Sequence, residues 1–331
     1  MAAPAYDVVG IGNAIVDVLA RTEEALVQRQ GLVKGTMALI DAARAETIYA
    51  AMPAGVEKSG GSVANTVAGV ASLGGRGAFI GKVRDDELGA VFAHDLKSLG
   101  VRFDTKPATS GPPTARCLIL VTPDAQRTMG TFLGACVDLG PEDIDESLVA
   151  SAAVTYLEGY LFDPPRAMEA FRAAAAAAHR AGRKVALSLS DPFCVDRHRA
   201  EFRDLVDRHV DVLFANEHEI CSLYETEHFE IAAEAVRGHC DIAVLTRSER
   251  GSDIVTQADL LHVAPWRVAR VVDTTGAGDL YAAGFLYGLT HGRDLATCGK
   301  LGSLCAAEII AHVGARPGTS LEHLAAGEGL I

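Results

Sequence analysis

One stretch of the chain, Asp273 to Asp279 (sequence DTTGAGD), has the composition of a phosphate site with a proton acceptor beside it. The alternating run before it predicts a strand over residues 267–272, and the apolar spacing after it predicts a helix over residues 280–289. The start of a helix binds anions because its N–H groups are unpaired, and Gly276 and Gly278 let a phosphate approach the backbone closely. A carboxylate repels a phosphate, so Asp279 is best explained as the group that accepts a proton from an attacking hydroxyl. The alternative is that Asp279 only complements the helix dipole; the full pattern at a strand–helix junction favours the chemical role.

Two polar residues near the N-terminus interrupt an apolar run. Asn13 and Asp17 are four positions apart, which places both on one face of a strand. A carboxylate suits a vicinal diol, since it accepts two hydrogen bonds at once. An exposed strand face is the simpler alternative for these two residues.

A second glycine turn precedes a helix of small residues. Gly60 and Gly61 lie just before Ser62 and Asn65, so this helix start also offers unpaired N–H groups to a ligand. The alternative is a tight turn in which Ser62 caps the helix.

Composition limits the classes of partner. The 331 residues carry a formal net charge of −13, which argues against nucleic acid because phosphate backbones require clustered Lys and Arg. No apolar run approaches the roughly 20 residues that a membrane helix needs, and no signal peptide is visible, so no membrane partner is expected. The seven cysteines form no Cys-x-x-Cys pair, which indicates free thiols in a reducing cytoplasm.

Strands and helices alternate from residue 152 onward, which predicts an α/β fold with a doubly wound, mainly parallel sheet and helices on both faces. Ligands in such sheets bind beyond the carboxyl ends of the strands, where Asn216 and Thr246 lie with the 273–279 stretch. Further strands at 14–20, 36–40, 116–121 and 128–133 predict a small separate sheet. We expect a large unit of residues 1–12, 42–110 and 136–331 and a small β lid of residues 13–41 and 111–135.

Several of these motifs resemble those of the ribokinase-like (PfkB) sugar and nucleoside kinases, in the family's order and over nearly the whole chain. The 273–279 stretch resembles the family's C-terminal motif, and the Gly60 to Asn65 stretch resembles its N-terminal motif. Asn216 and Glu219 match its Asn-x-x-Glu motif, although an N-cap with acids in the first turn also explains them. Residues 246–251 resemble its nucleotide loop, with Ser248 in place of the first glycine.

The resemblance implies a role for each matching residue. The implied catalytic residues are Gly276, Ala277 and Gly278 as the anion hole, Asp279 as the base, and Arg127, otherwise a solvated charge, reaching the transferring phosphate. The implied substrate-binding residues are Asn13, Asp17, Gly60, Gly61 and Asn65, with Asp17 and Asn65 binding hydroxyls. The implied nucleotide-binding residues are Asn216, Thr246, Gly251, Thr275 and Ser303. Glu219 is expected to hold Mg²⁺ through water, as suits a hard cation that keeps several waters, and Asp273 is a candidate ligand of a monovalent cation such as K⁺.

Some stretches are most similar to the adenosine-kinase group of this family, including Leu187 to Phe193. That similarity implies that Phe193 packs on a purine; the alternative is a core Phe on a loop. We therefore expect transfer of the γ-phosphate of ATP to the 5′-hydroxyl of adenosine, giving AMP and ADP in purine salvage. A sugar kinase of the same family and a catalytically weak nucleoside sensor are the alternatives, and a monomer or a dimer fits either.

Overall fold

Two β-sheets and the helices packed on them make up the part of the chain that the computed structural model describes, residues 3–124, 126–162 and 164–331. The strands are β1 (Tyr6–Ile11), β2 (Ile15–Arg21), β3 (Met37–Leu39), β4 (Val56–Gly60), β5 (Gly77–Ile80), β6 (Arg102–Phe103), β7 (Ala115–Val121), β8 (Arg127–Phe132), β9 (Ala152–Glu158), β10 (Lys184–Ser188), β11 (Val212–Asn216), β12 (Ile242–Thr246), β13 (Ser252–Thr256) and β14 (Leu260–Val263). The helices are α1 (Glu24–Arg29), α2 (Ala42–Ala51), α3 (Ser62–Ser72), α4 (Glu87–Ser98), α5 (Glu146–Ser151), α6 (Pro165–Arg180), α7 (Pro192–Arg197), α8 (Arg199–His209), α9 (Glu217–Leu223), α10 (Phe229–Ala235), α11 (Ala277–Thr290), α12 (Leu295–Ile309) and α13 (Leu321–Gly327).

The large sheet has the strand order β14-β13-β12-β11-β10-β9-β1-β5-β6. Its strands are parallel from β12 to β6, and only β13 and β14 at one edge are antiparallel. Neighbouring residues of one strand face opposite sides, so Val8 and Phe214 join one buried apolar cluster while Val9 and Leu213 join another. The predicted doubly wound α/β fold is confirmed.

The small sheet has the strand order β3-β8-β7-β2-β4. The predicted small sheet is confirmed, and it also contains β4, which the sequence analysis placed in the large unit. The division of the chain into two units stays a prediction, and Ala125 within the expected lid lies outside the described residues.

The strand predicted over residues 267–272 is wrong. Among the described residues this segment pairs with no strand. Its end is held instead by a helix terminus: the N–H groups of Val272 and Asp273 donate to the carbonyl of Ile310, at 2.7 and 3.3 Å. The side chains of Val271 and Val272 are 52% and 43% exposed, so the alternating pattern does not mark a buried face.

Among the described residues, no helix is long and apolar enough to cross a bilayer.

Candidate active site

A cavity of about 860 Å³ opens at the carboxyl ends of the parallel strands, between the two sheets. It brings together most of the residues that the sequence analysis singled out, although they are far apart in the chain. The predicted residues that line it are Asn13, Asp17, Gly61, Phe193, Asn216, Glu219, Thr246, Thr275, Gly276, Ala277, Gly278 and Asp279.

The first turn of α11 forms one wall of this cavity. Gly276 is the N-cap of the helix and has a left-handed backbone, with φ of 80°, which an L side chain rarely adopts. A Cβ at this position would also come within 3.0 Å of Ala315. The glycine therefore lets the chain turn sharply. The N–H of Ala277 donates to the carbonyl of Thr274 at 3.2 Å, whereas the N–H groups of Gly278 and Asp279 have no partner within the helix and would be available to an anion in the cavity.

Asp279 lies in that first turn and is held by the N-terminal part of α3. The hydroxyl of Ser62 donates to its Oδ1 at 2.6 Å, and the side-chain amide of Asn65 donates to its Oδ2 at 2.9 Å. Burial raises the pKa of Asp279, and the two hydrogen bonds and the charge of Arg316 oppose that rise. The carboxylate thus has a fixed orientation and an increased affinity for a proton, as a general base requires.

Asn65 was expected to bind a substrate hydroxyl, and its amide nitrogen is instead used by Asp279. Its Oδ1 atom is buried and has no hydrogen-bond partner in the described part of the chain. This oxygen is the one acceptor of Asn65 still available to a ligand, so its substrate role stays a prediction.

Asp17 on β2 forms the opposite wall. Gly60 on the neighbouring strand β4 passes so close that a Cβ there would lie within 2.6 Å of the Asp17 carboxylate. Burial raises the pKa of Asp17 to about 6, with Arg316 and Arg127 acting against the rise and Asp279 adding to it.

Asn13 is anchored by a buried carboxylate that the sequence analysis missed. Glu158 at the end of β9 is 1% exposed. Its oxygens accept from the backbone N–H of Asn13 at 3.3 Å, from the Asn13 amide at 2.6 Å and from the N–H of Val63 at 3.0 Å. Burial raises the pKa of Glu158 to about 7. The signal was available, because Glu158 is a charged residue that directly follows the mainly apolar residues 154–157.

Asn216 and Glu219 form a capping box at the start of α9. The N–H and the side-chain amide of Asn216 donate to the two oxygens of Glu219, at 2.8 and 2.6 Å, and the N–H of Glu219 donates back at 2.9 Å. Burial raises the pKa of Glu219 to about 7. Both residues also line the cavity, so the capping role and a ligand role are compatible.

Asp273 and Arg127 connect the α11 turn to the small sheet. Nη2 of Arg127 lies 2.8 Å from Oδ2 of Asp273, as a charge contact without an aligned N–H bond, and Nη1 donates to the hydroxyl of Thr275 at 3.0 Å. Asp273 also accepts from the N–H of Gly314 at 2.9 Å and from the N–H and hydroxyl of Thr275 at 3.1 and 2.7 Å. Arg127 is therefore paired rather than solvated. A monovalent cation at Asp273 would have to displace a guanidinium from a carboxylate whose two oxygens are in use.

Gly251 and Ser303 do not line the cavity. Gly251 lies in the turn before β13, where its N–H donates to the carbonyl of Ser248 at 3.1 Å. The hydroxyl of Ser303 accepts from the N–H of Trp266 at 2.6 Å. Their nucleotide-binding roles stay predictions.

The sequence and the fold of the chain are similar to those of known proteins. Residues 31–322 match the protein family that is described as "pfkB family carbohydrate kinase". The chain belongs to this family. Its fold and its class as a kinase, expected from the sequence, are thereby confirmed, and the family uses ATP as phosphoryl donor.

Solved structures and curated proteins of this family differ in their named acceptors. The structure of adenosine kinase from Sinorhizobium meliloti is 53% identical, with a TM-score of 0.90 over 98% of this chain and 99% of that one. A probable sugar kinase from Rhizobium etli CFN 42 is 50% identical, with a TM-score of 0.92 over 99% of this chain and 100% of that one. The ATP-dependent ribose-1-phosphate kinase of Halopiger xanaduensis is 30% identical over 274 residues, which are 82% of this chain and 86% of that protein.

Arg316 is a second residue of this pfkB-family site that the sequence analysis missed. Its guanidinium lies beyond the cavity lining and donates to Ser59 and Ala64. The residue stands in an irregular segment between α12 and α13, where no periodic pattern marks it as buried.

Proposed function

We propose that this pfkB-family kinase transfers the γ-phosphate of ATP to the 5′-hydroxyl of adenosine, giving AMP and ADP. The observation that carries the proposal is the position of Asp279. Its oriented carboxylate lies at the tip of α11 and in the same cavity as Asp17 and Phe193. A proton acceptor, an anion site and a diol acceptor are thus combined with an aromatic surface.

The proposed transfer depends on positioning and on charge. Asp17 accepts hydrogen bonds from the ribose hydroxyls, which places the 5′-hydroxyl near Asp279. The N–H groups of the turn at Gly276 to Gly278 bind the transferring phosphoryl group, whose transition state is loose and spreads its charge over the oxygens. Asp279 takes the hydroxyl proton as the new O–P bond forms and the bond between the γ-phosphorus and the bridging oxygen of ATP breaks, which releases ADP.

Magnesium is proposed as the metal of the reaction, with Glu219 as its protein ligand through water. No cluster of three or more His, Cys, Asp or Glu side chains suited to a metal occurs among the described residues. That finding suits Mg²⁺, because this ion usually keeps several waters and binds one or two carboxylates together with the phosphates of its nucleotide. The ion would neutralise part of the negative charge of the phosphates. The capping box holds Glu219 in place for that role.

The apolar part of the cavity supports a purine as the acceptor's base. Phe193 lines the cavity and is 75% exposed, so it is not a core residue. Other apolar residues line the same cavity: Ile15, Met37, Leu39, Met129 and Leu133. A free sugar has no aromatic face to cover these side chains, whereas a nucleoside base does. The 53% identity to an adenosine kinase points the same way.

The cysteines are consistent with a cytoplasmic site of purine salvage, which we include in the proposal. Six of them form no disulfide, and a reducing compartment keeps thiols in that state: Cys117, Cys136, Cys221, Cys240, Cys298 and Cys305.

The test is a panel of acceptors with Mg-ATP, with ADP release as the readout and mass spectrometry of the product. We expect adenosine to exceed ribose, fructose and ribose 1-phosphate in kcat/KM by about 100-fold or more, because buried polar groups left unpaired by a wrong substrate are costly. Preference for a sugar would make this a sugar kinase. Tight adenosine binding without ADP release above that of Asp279→Asn would make it a sensor.

A further inference from the structure

Arg316 connects the C-terminal segment to the substrate side of the cavity. Its Nη1 donates to the carbonyl of Ala64 at 2.7 Å. Its Nη2 donates to the carbonyl of Ser59 at 2.9 Å and to the Ser59 hydroxyl at 2.8 Å. The segment between α12 and α13 is therefore attached to two points that flank the turn at Gly60 and Gly61.

Both attachment points are next to proposed site residues in the sequence. Ser59 precedes Gly60, whose backbone packs against the Asp17 carboxylate. Ala64 belongs to the first turn of α3, and its neighbour Asn65 donates to Asp279. A displacement of the 59–64 turn would thus move the surroundings of both carboxylates together.

The charges around the turn are unbalanced without Arg316. Asp17, Asp279 and Glu158 are three carboxyl groups at one cavity that must also receive phosphates. The charged groups that act on Asp17 are Arg316, Arg127 and Asp279. Arg316 also acts on Asp279, whose carboxylate accepts hydrogen bonds from Ser62 and Asn65. Asp279 acts in turn on Glu158, Glu219, Tyr156 and Tyr160. Arg316 is thus a cation that favours the ionised form of both Asp17 and Asp279.

Asp95 on α4 completes the arrangement. Its Oδ2 accepts from the N–H and the hydroxyl of Ser59, at 2.8 and 2.5 Å. Its negative charge acts on Arg316, and so do those of Asp17 and Asp279, while burial lowers the pKa of the Arg316 guanidinium to about 10. The guanidinium stays charged at neutral pH, and Asp95 partly compensates that charge.

We infer that Arg316 is a positioning residue of this kinase, which fixes the 59–64 turn and keeps Asp17 and Asp279 ionised without touching substrate. The inference rests on the roles proposed for these two carboxylates. The pH dependence of the reaction separates it from a merely structural role, because Arg316 acts on the two carboxylates and Asp95 affects them by compensating the charge of Arg316. Removing the cation favours protonated carboxyl groups, and removing Asp95's charge favours ionised ones.

The experiment measures kcat and kcat/KM between pH 5 and 9 for the wild type, Arg316→Gln, Arg316→Lys and Asp95→Asn. The matched control is Arg203→Gln, since Arg203 also donates to a backbone carbonyl, that of Leu223 at 3.0 Å, and does not line the cavity. We expect the acid limb of kcat/KM to move to higher pH by about one unit in Arg316→Gln. That shift corresponds to a loss of about 10-fold in kcat/KM at pH values below the limb, and kcat/KM recovers at pH values above it. Asp95→Asn should move the limb to lower pH, and Arg316→Lys should leave it in place while KM rises.

An unchanged limb in both Arg316→Gln and Asp95→Asn, with a loss that does not vary with pH, overturns the inference. If Arg316→Gln does not fold, Asp95→Asn decides the question alone. A shift of its acid limb to lower pH supports the proposal, and an unchanged limb or a shift to higher pH refutes it. Wild-type turnover of adenosine in the same series reports separately on the proposed function. Should another acceptor be preferred, the pH series is run with that acceptor.

Discussion

The buried glutamate at the end of β9 allows a sharp test of how the site is held. Glu158 is 1% exposed and accepts three hydrogen bonds from Asn13 and Val63. Burial raises its pKa from 4.5 to about 7. Between those two pH values the folded chain holds a proton that the unfolded chain has released, so the free energy of unfolding falls as pH rises through this window. For a pKa that moves from 4.5 to about 7, the loss is about 3 kcal/mol.

The perturbation is Glu158→Gln, which keeps the shape of the side chain and one acceptor oxygen but does not titrate. Its partner Asn13 can turn its amide to present oxygen to the new NH₂ group. We expect the decline in stability between pH 5 and 8 to be smaller in the variant than in the wild type by about 2–3 kcal/mol. Glu219, whose pKa burial also raises to about 7, contributes equally to both proteins and cancels in the comparison.

The assay is urea unfolding at four pH values, with unchanged m-values as the check that the unfolding reaction is the same. Glu227→Gln, at an exposed glutamate, is the control and should follow the wild type at every pH. Parallel stability curves for the wild type and Glu158→Gln would refute the reasoning, because they would mean that Glu158 keeps the same protonation state when the chain folds.

Three further outcomes follow from the geometry of the cavity. Asp279→Asn should lower kcat by about 10²–10⁴-fold, as loss of a general base does, with the calorimetric Kd for adenosine nearly unchanged; near-normal turnover would leave Asp279 a residue that only complements the helix dipole. Phe193→Ala should raise KM for adenosine about 10-fold, since an aromatic contact contributes about 0.5–1.5 kcal/mol beyond its buried area, and an unaltered KM would remove Phe193 from the purine site. Arg127→Gln should lower kcat and make activity respond to K⁺ at constant ionic strength, because Asp273 loses its guanidinium partner; a wild type that responds equally would show that K⁺ binds alongside Arg127.

The sequence predicted the parts of the fold that depend on local patterns. Buried parallel strands such as β10 and β11 appear as short apolar runs, and their order with the helices specifies a wound sheet. β4 was missed because its residues, Val56 to Gly60, include charged and small side chains and have only Ser59 and Gly60 buried. The strand predicted at 267–272 failed for the opposite reason: alternation was present, but Val272 and Asp273 bond to the end of α12 and not to a strand.

The site was predicted where function lies in a contiguous motif and missed where it lies in a tertiary contact. Asp279 was predicted at a helix start and lies there, whereas Asn13 and Asp17 were predicted on one strand face and Asn13 instead precedes β2; all three line one cavity. Arg316 reaches Ser59 across 257 positions of the chain. Such a contact depends on how α3 and α12 are placed by packing, which no short window of sequence encodes.

The hydrogen bonds from Ser62 and Asn65 to Asp279 limit which mutations can change the acceptor preference of this fold without changing turnover. Because the helix that borders the acceptor also steadies the base, mutations at the start of α3 alter recognition and turnover together. Met37 on β3 and Met129 on β8 line the cavity from the small sheet, and neither side chain hydrogen-bonds to Asp279. New acceptor preferences should therefore arise first among the residues of those two strands, while the α3 side remains fixed by the chemistry it supports.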